Sequence, residues 1–363
     1  MNFIDLQEQY KQYRPEIDAE VAKVIESAQF IMGPAVQKLE GELSRHTGVA
    51  HAIGCSSGTD ALLLGLLAKG VRPGDEVIVP DFTFFATAET VAFLGARPVF
   101  VDIEEEYFCI NPSLLEAKIT PRTKGIIPVS LFGQCADLDA VNAIAKKHGL
   151  WVMEDAAQSY GARSKGRRSG SMSELAVTSF FPAKPLGCYG DGGAVFTSDE
   201  TIAKVVRELL NHGQSERYKH SSIGMNGRLD TIQAAVLLVK LRHFDEEMTM
   251  KRAAADRYTE RLAGIVSTPA IRPGCESVWA QYTVRTLKRD LVLEQLKKKQ
   301  IPTAIHYPIP LHAQCVFASQ ELTDEQFPVS SRASRTVFSL PMHPFLSNED
   351  IDFVADAIRE ALG

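Results

Sequence analysis

Between residues 33 and 210 short apolar runs alternate with stretches whose apolar residues recur at three- and four-residue spacing. Pro34 and Gly48 bracket a helix over about 34–46, with proline just inside the start and glycine just past the end. HAIGCS (51–56) reads as a strand, TDALLLGLLAKG (59–70) as a helix, and PGDEVIVP (73–80) as a strand entered through a turn dipeptide. FATAETVAFLG (85–95) is helical, RPVFVDI (97–103) a strand, and PRTKGIIPVSLFG (121–133) another strand. DLDAVNAIAKKHG (137–149) opens on an acid and closes on a glycine, as a capped helix does, and LWVMEDAAQS (150–159) is a strand ending in acids. This rhythm predicts βαβ units and a mostly parallel sheet with helices on both faces, a class whose ligands bind beyond the carboxyl ends of the strands.

After two more strand-like runs, SELAVTSFFPAK (173–184) and GGAVFTS (192–198), the pattern changes. Residues 229 to about 263 keep helical periodicity with no glycine or proline until Gly264, which predicts one long connecting helix. VWAQYTVRT (278–286) alternates as a half-buried strand does, LVLEQLKKKQ (291–300) is helical, and NEDIDFVADAIREALG (348–363) forms a last amphipathic helix. The expected organisation is a large α/β domain over 1–244, including an N-terminal helical segment, and a smaller α+β domain over 245–363.

With 363 residues, 45% of them hydrophobic and 23% charged, the chain is long enough for two cored domains and too apolar for disorder. Thirty-nine basic against 45 acidic residues give a formal charge of −6, so nucleic acid and anionic membrane are not expected partners, and an anionic ligand needs a local site. Cys55, Cys109, Cys135, Cys188, Cys275 and Cys315 show no metal-like or CxxC spacing. They read as free thiols in a reducing compartment, and with no apolar run of about 20 residues and no leader-like start the expected location is the cytoplasm.

Three segments carry candidate chemistry. GCSSGTD (54–60) is a small polar strand-to-helix turn whose free amides suit a phosphate, although such turns are also built without any ligand. It is not a Walker loop, and neither it nor the glycines at 187, 190, 192 and 193 have dinucleotide-fingerprint spacing. Glu154 and Asp155 end an apolar strand, and since neighbouring side chains face opposite ways, at most one looks into a given pocket. Lys184 lies between an apolar run and a glycine-rich loop, a setting that lowers an amine's pKa as a Schiff-base lysine requires; most lysines are instead solvated surface charges. Phosphate cup, strand-end acid and half-buried lysine, in that order, are what pyridoxal 5′-phosphate (PLP) needs: amides for the phosphate, an anion for the pyridine nitrogen, an amine for the aldehyde. Phe84 after the third apolar run is suited to stack on the ring, or is plain core.

Seven blocks in order resemble the DegT/DnrJ/EryC1/StrS family of PLP-dependent nucleotide-sugar aminotransferases: GPAVQKLEGEL (33–43), SSGTDALLLGL (56–66), PDFTFFATAETV (80–91), EDAAQSYGA (154–162), SFFPAKPLGCYGDGGA (179–194), GMNGRLDTIQAA (224–235) and IHYPIPLH (305–312). The resemblance implies a fold type I aminotransferase, with a large domain around a mainly parallel seven-stranded sheet, a smaller α+β domain, and a homodimer with two shared active sites. It implies Lys184 as the Schiff-base lysine and general acid-base, Asp155 at the pyridine nitrogen, Gln158 beside the ring near O3′, and Phe84 stacked on it. It further implies amides of Thr59 and Asp60 and the hydroxyl of Ser179 at the phosphate, with Asn226 reaching the neighbouring subunit's cofactor.

Retention of lysine at 184 favours transamination over the dehydratases of the family, many of which carry histidine there. The 179–194 and 226–235 runs resemble most the branch that aminates the C3 ketone of UDP-2-acetamido-2-deoxy-3-oxo-glucuronate, with glutamate as the usual donor, for bacterial surface polysaccharide such as O-antigen. Arg228 suits that substrate's carboxylate, or serves as a structural arginine, since the motif position also holds arginine in relatives acting on neutral 4-keto sugars. His306 and Tyr307 match a segment that touches nucleotide or sugar, and neither His306 nor His312 has metal-ligand partners at useful spacing. The alternative substrate is a 4-keto-6-deoxy UDP- or dTDP-sugar. A PLP-dependent dehydratase and a non-catalytic PLP-binding regulator are the readings from other classes.

Overall fold

The computed structural model describes residues 1–363. Its centre is a seven-stranded sheet of β1 (His51–Cys55), β2 (Glu76–Pro80), β3 (Arg97–Val101), β4 (Thr123–Ile126), β5 (Trp151–Asp155), β6 (Leu175–Ser179) and β7 (Gly193–Thr197). The spatial order is β1-β7-β6-β5-β4-β2-β3. Only β7 runs antiparallel, to both β1 and β6, and the remaining neighbours are parallel.

Alternation along each strand divides the sheet between two apolar layers. Ile53 and Cys55 of β1, Val77 and Val79 of β2 and Met153 of β5 join one cluster with α3 (Gly58–Ala68), α4 (Ala86–Phe93) and α6 (Glu200–Leu209). Ala52, Ile78 and Val152 point the other way, toward α2 (Pro34–Thr47), α5 (Leu138–His148) and the start of α7 (Thr231–Leu262). Gly48 ends α2 in the left-handed conformation at φ 85°, where a side chain would be strained.

The long helix α7 crosses the boundary drawn at 244/245 without a break. Its Leu237, Leu238, Phe244 and Met248 pack on the sheet layer, while Ala254, Ala255, Tyr258 and Leu262 enter a separate core. That second core is closed by α8 (Arg289–Lys298), α10 (Asn348–Leu362) and an antiparallel pair, β8 (Tyr282–Arg285) and β9 (Val337–Leu340). An N-terminal helix, α1 (Leu6–Ser27), lies along α7.

Several strands are shorter than their apolar runs, most of all those at 121–133, 173–184 and 278–286. The run at 121–133 is a regular strand only over β4; Pro128 interrupts it by offering no amide, the chain bridges to β5 once more through Val129 and Asp155, and it then turns at Leu131–Gly133 with Phe132 at φ 59°. The run at 278–286 is a strand only from Tyr282, because Trp279 sits at φ 50°. The pattern predicts none of α6, α9 (Pro328–Thr336) and β9, into which α9 leads.

The topology brings five loops to one edge of the sheet. The chain leaves β1, β2, β5 and β6 there and enters β7 there, so residues 56–60, 81–87, 155–158, 179–184 and 190–193 meet at the carboxyl end of the parallel strands.

Candidate active site

At this edge β5 ends in Glu154 and Asp155, which face opposite layers. Glu154 is fully buried in a polar niche, accepting from the hydroxyls of Ser130 (2.8 Å) and Ser169 (2.6 Å) and from the amide of Gly170 (2.8 Å). Asp155 turns to the other side, where the amide of Ala157 donates to one oxygen (3.1 Å) and Thr87 Oγ1 to the other (2.9 Å). Burial pushes the Asp155 carboxyl above the usual carboxylate range, and the Ala157 amide, the Thr87 hydroxyl and the charge of Lys184 oppose that push. Two neutral donors leave an ionised buried carboxylate short of compensation, and a protonated ring nitrogen is a group that would supply it.

Lys184 stands on the loop after β6. Burial lowers the pKa of its amine, with the Asp155 charge acting in the opposite sense. An ammonium deprived of water gives up its proton more readily, which is the condition for a nucleophilic amine.

The turn between β1 and α3 forms a cradle. Ser57 caps α3, its Oγ accepting from the Asp60 amide at 3.0 Å, while Ser56 Oγ donates to the Asp60 carboxylate. The Asp60 amide, expected to face a phosphate, is therefore already engaged. The amides of Gly58 and Thr59 are the first-turn donors without an intrahelical acceptor. A Cβ at Gly58 would lie 2.6 Å from Ser179 Cβ, and one at Gly193 2.4 Å from the Ser57 carbonyl oxygen, so the Ser179 side chain packs against the helix start and only glycine permits that approach. Ser179 Oγ accepts from the Phe181 amide at 3.2 Å, which leaves its own proton for an anion. Amides at a helix N-terminus beside a hydroxyl fit a phosphate group.

Opposite the cradle, Gln158 is held at both ends of its amide. Its Oε1 accepts from the Phe132 amide at 2.8 Å and its Nε2 donates to Tyr307 Oη at 3.0 Å. Phe84 exposes 56% of its surface at the sheet edge, and its ring centre is 6.2 Å from that of Tyr307. An aromatic left that open at a concave edge is available to stack on a planar ring. His306 Nδ1 lies 3.0 Å from Ser339 Oγ. Burial, and then the charge of Lys184, push its pKa down to about 4, so the imidazole is neutral at neutral pH.

The fold thus gathers Thr59, Asp60, Phe84, Asp155, Gln158, Ser179, Lys184, His306 and Tyr307 around one edge. Asn226 and Arg228 stand slightly apart, on a segment that pairs with the end of β1 through Cys55–Arg228 and Ser56–Gly227 contacts. Asn226 is exposed. Arg228 Nη1 donates to Asn211 Oδ1 at 2.8 Å, and its Nε is buried without a partner. Thr87 and Gly58 had escaped sequence reasoning. The signal for Thr87 was a threonine at helical spacing from Thr83 on an otherwise apolar inner face; for Gly58 it was the absence of a side chain at the first position of a helix.

A family model described as the DegT/DnrJ/EryC1/StrS aminotransferase family matches residues 11–359. The UDP-2-acetamido-2-deoxy-3-oxo-D-glucuronate aminotransferase of Pseudomonas aeruginosa is 51% identical over 359 residues, covering 99% of each chain. A pleiotropic regulatory protein of Geobacillus stearothermophilus is 45% identical over 361 residues, covering 98% of this chain and 97% of its own. Among solved structures, that of Streptomyces venezuelae DesV in complex with a ketimine intermediate has a TM-score of 0.97 at 42% identity, covering 99% of this chain and 97% of the other.

Proposed function

The chain belongs to the DegT/DnrJ/EryC1/StrS family of PLP-dependent, fold type I aminotransferases, and from that premise we propose that it aminates the C3 ketone of UDP-2-acetamido-2-deoxy-3-oxo-glucuronate with glutamate as donor. The product would enter bacterial surface polysaccharide synthesis, with the enzyme working in the cytoplasm. The observation that carries the reaction is that the buried Asp155 carboxyl at the end of β5 and the half-buried Lys184 amine on the loop after β6 meet at one sheet edge, near enough for each charge to act on the other. The substrate rests on the 51% identity to the Pseudomonas aeruginosa enzyme of that name.

When bound, PLP supplies the electron sink into which the C–H bond of an attached amine is broken. The rest is the work of the chain. Lys184 Nζ, desolvated and therefore readily neutral, is the group that attaches the cofactor. With a free amine, Nζ would serve as the group that takes a proton from the amine-bearing carbon and returns it one bond away, as general base and then acid. Asp155 would keep the ring nitrogen protonated, and Thr87 and the Ala157 amide hold its carboxylate in place. The Gly58 and Thr59 amides and the Ser179 hydroxyl would receive the phosphate at the start of α3, a region where an anion is favoured. Phe84 would stack on the ring, and Gln158 holds Tyr307 next to Phe84.

A homodimer fits this reading. Phe30, Ile31, Met32, Phe181 and Ile223 are exposed apolar side chains, and Ile31 pairs with Asp230 close to the segment bearing Asn226 and Arg228. In a dimer that segment would bring Asn226 to the partner's phosphate and Arg228 to the substrate carboxylate, and His306 would line the sugar side.

One observation favours a second substrate. Arg228 is held by Asn211, as a structural arginine would be, and a 4-keto-6-deoxy sugar needs no carboxylate partner. The relative named as a pleiotropic regulatory protein raises the regulator reading, against which stand the retained Lys184 and Asp155. A single comparison separates the three. Purified protein with PLP and glutamate should aminate the 3-keto uronate faster than a 4-keto deoxysugar. Preference for the latter would replace the substrate, and failure to convert PLP to pyridoxamine phosphate with any amino donor would remove the catalytic reading.

A further inference from the structure

Asp81 and His312 lie 231 residues apart in the chain and form a buried clasp. Asp81 follows the last residue of β2 and opens the loop that carries Phe84, and its own amide donates to Val101 O at 2.9 Å, fixing it to the sheet. The Leu311 amide donates to Asp81 O and the His312 amide to Asp81 Oδ1, both at 2.8 Å, and His312 Nδ1 lies 2.7 Å from Asp81 Oδ2. On its far side His312 Nε2 lies 3.0 Å from Asp324 Oδ1, and its ring stacks on Phe327 at 4.7 Å. Asp81 is fully buried and His312 is 4% exposed.

The position of this clasp matters because of what lies on either side. Ala304 pairs with Ser339 of β9 in the small core, whereas Leu311, Phe317 and Phe327 pack in the large sheet layer. Residues 305–311 are therefore a strap from one body to the other, stiffened by Pro308 and Pro310, and Tyr307 is on it. The clasp fastens the end of the strap to the root of the Phe84 loop.

We infer that His312 is a positioning residue: clasped to Asp81, it sets where the strap residue Tyr307 stands relative to Phe84, the aromatic pair beside which the cofactor ring would lie. This rests on the proposed PLP chemistry of the same site. Both imidazole nitrogens face carboxylates, so the pair of contacts is complete when both carry protons. Burial opposes that charge, but the hydrogen bond and charge of Asp81, and then those of Asp324, outweigh it and raise the His312 pKa. The other charges facing the cluster are Arg335, bonded to Asp324 at 2.9 Å, Asp102 near Asp81, and Lys118 over the Phe327 ring.

The test compares His312→Gln, Asp81→Asn and the double variant by PLP titration and by the visible circular dichroism of bound PLP. Each single variant should bind PLP roughly 10- to 100-fold more weakly, as expected for loss of a charged hydrogen bond, with a reduced dichroic band. The double variant should be no worse than either single one. Asp324→Asn leaves the clasp in place and removes one carboxylate holding the His312 proton, so the alkaline loss of the dichroic band should move down by roughly one pH unit. This variant reads the same clasp if the buried substitutions prevent folding. Unchanged affinity and dichroism in the single variants, additive losses in the double, or an unmoved alkaline limb in Asp324→Asn would overturn the inference. Wild-type protein that takes up no PLP would instead overturn the reading on which it rests.

Discussion

Thr87 Oγ1 donates to Asp155 Oδ2 across 2.9 Å, tying the first turn of α4 to the end of β5. Because Asp155 has only this hydroxyl and one amide as donors, the contact bears directly on whether its carboxyl stays ionised. Thr87→Val keeps the shape and removes the donor, and should weaken PLP binding about tenfold, in line with 1–3 kcal/mol for an unsatisfied buried acceptor. Thr87→Ser should retain most of the affinity. Fluorescence titration of PLP checks both.

Asp155 and Glu154 are adjacent, acidic and buried, yet they should respond to amide substitution in different ways. Asp155→Asn removes the anion at the ring nitrogen and should slow the glutamate half-reaction by at least about a hundredfold with the fold retained. Glu154→Gln touches only the niche of Ser130, Ser169 and Gly170, so it should lower stability by about 1–3 kcal/mol and leave that rate within a few-fold of wild type. Stopped-flow absorbance and denaturant unfolding separate the two effects.

Two glycines at helical positions make a second contrast. Gly58→Ala would drive a methyl group into Ser179 and should weaken binding of PLP and of inorganic phosphate to the apoenzyme. Gly41, inside α2, has open space around its Cβ position, and Gly41→Ala should raise stability by about 0.5–1 kcal/mol without affecting the cofactor. Thermal unfolding with and without PLP is the measurement.

Stability should fall as the pH drops from about 6.5 toward 4. His46 and His306 are both pushed down to about 4, chiefly by burial, with Arg168 beside His46 and Lys184 acting on His306. Arg168 Nη1 also lies 2.7 Å from His46 Nε2, a contact that needs an unprotonated nitrogen there. In that window the unfolded chain binds protons that the folded chain refuses, so the stabilising effect is complete above the unfolded pKa and is lost as pH falls. Each histidine should account for about 1–3 kcal/mol of the change, and His46→Asn should flatten the slope in acid unfolding curves.

Much of this arrangement was legible in the chain itself. The alternation of apolar runs and helical patterns locates the seven strands of the sheet, and the strand-end rule puts Glu154 and Asp155 at the ligand edge, the resemblance to the family choosing Asp155 between them. What the pattern could not give was pairing at a distance. β9 is a four-residue strand that exists because β8 lies beside it, and α9 is a short serine- and arginine-rich helix without an apolar stripe in its sequence. The run at 121–133 reads as continuous because its apolar residues are buried by turns as well as by strand, and Pro128, which lacks an amide, interrupts the regular ladder before Val129 bridges to Asp155. At the site, Lys184, Asp155 and the GCSSGTD turn announce their chemistry by type and order. Thr87 and Gly58 act through a neighbour's oxygen and a neighbour's bulk, and neither relation is written in local sequence. The engagement of the Asp60 amide by Ser57 likewise appears only once the cap forms.

Attachment of PLP to Lys184 is the central chemical feature of the proposed reaction. Holoenzyme reduced with borohydride, digested and mapped by mass spectrometry should carry the pyridoxyl mass on the peptide containing Lys184, with none in Lys184→Ala. A pyridoxyl group on any other lysine, or a wild-type protein that carries none, would contradict it.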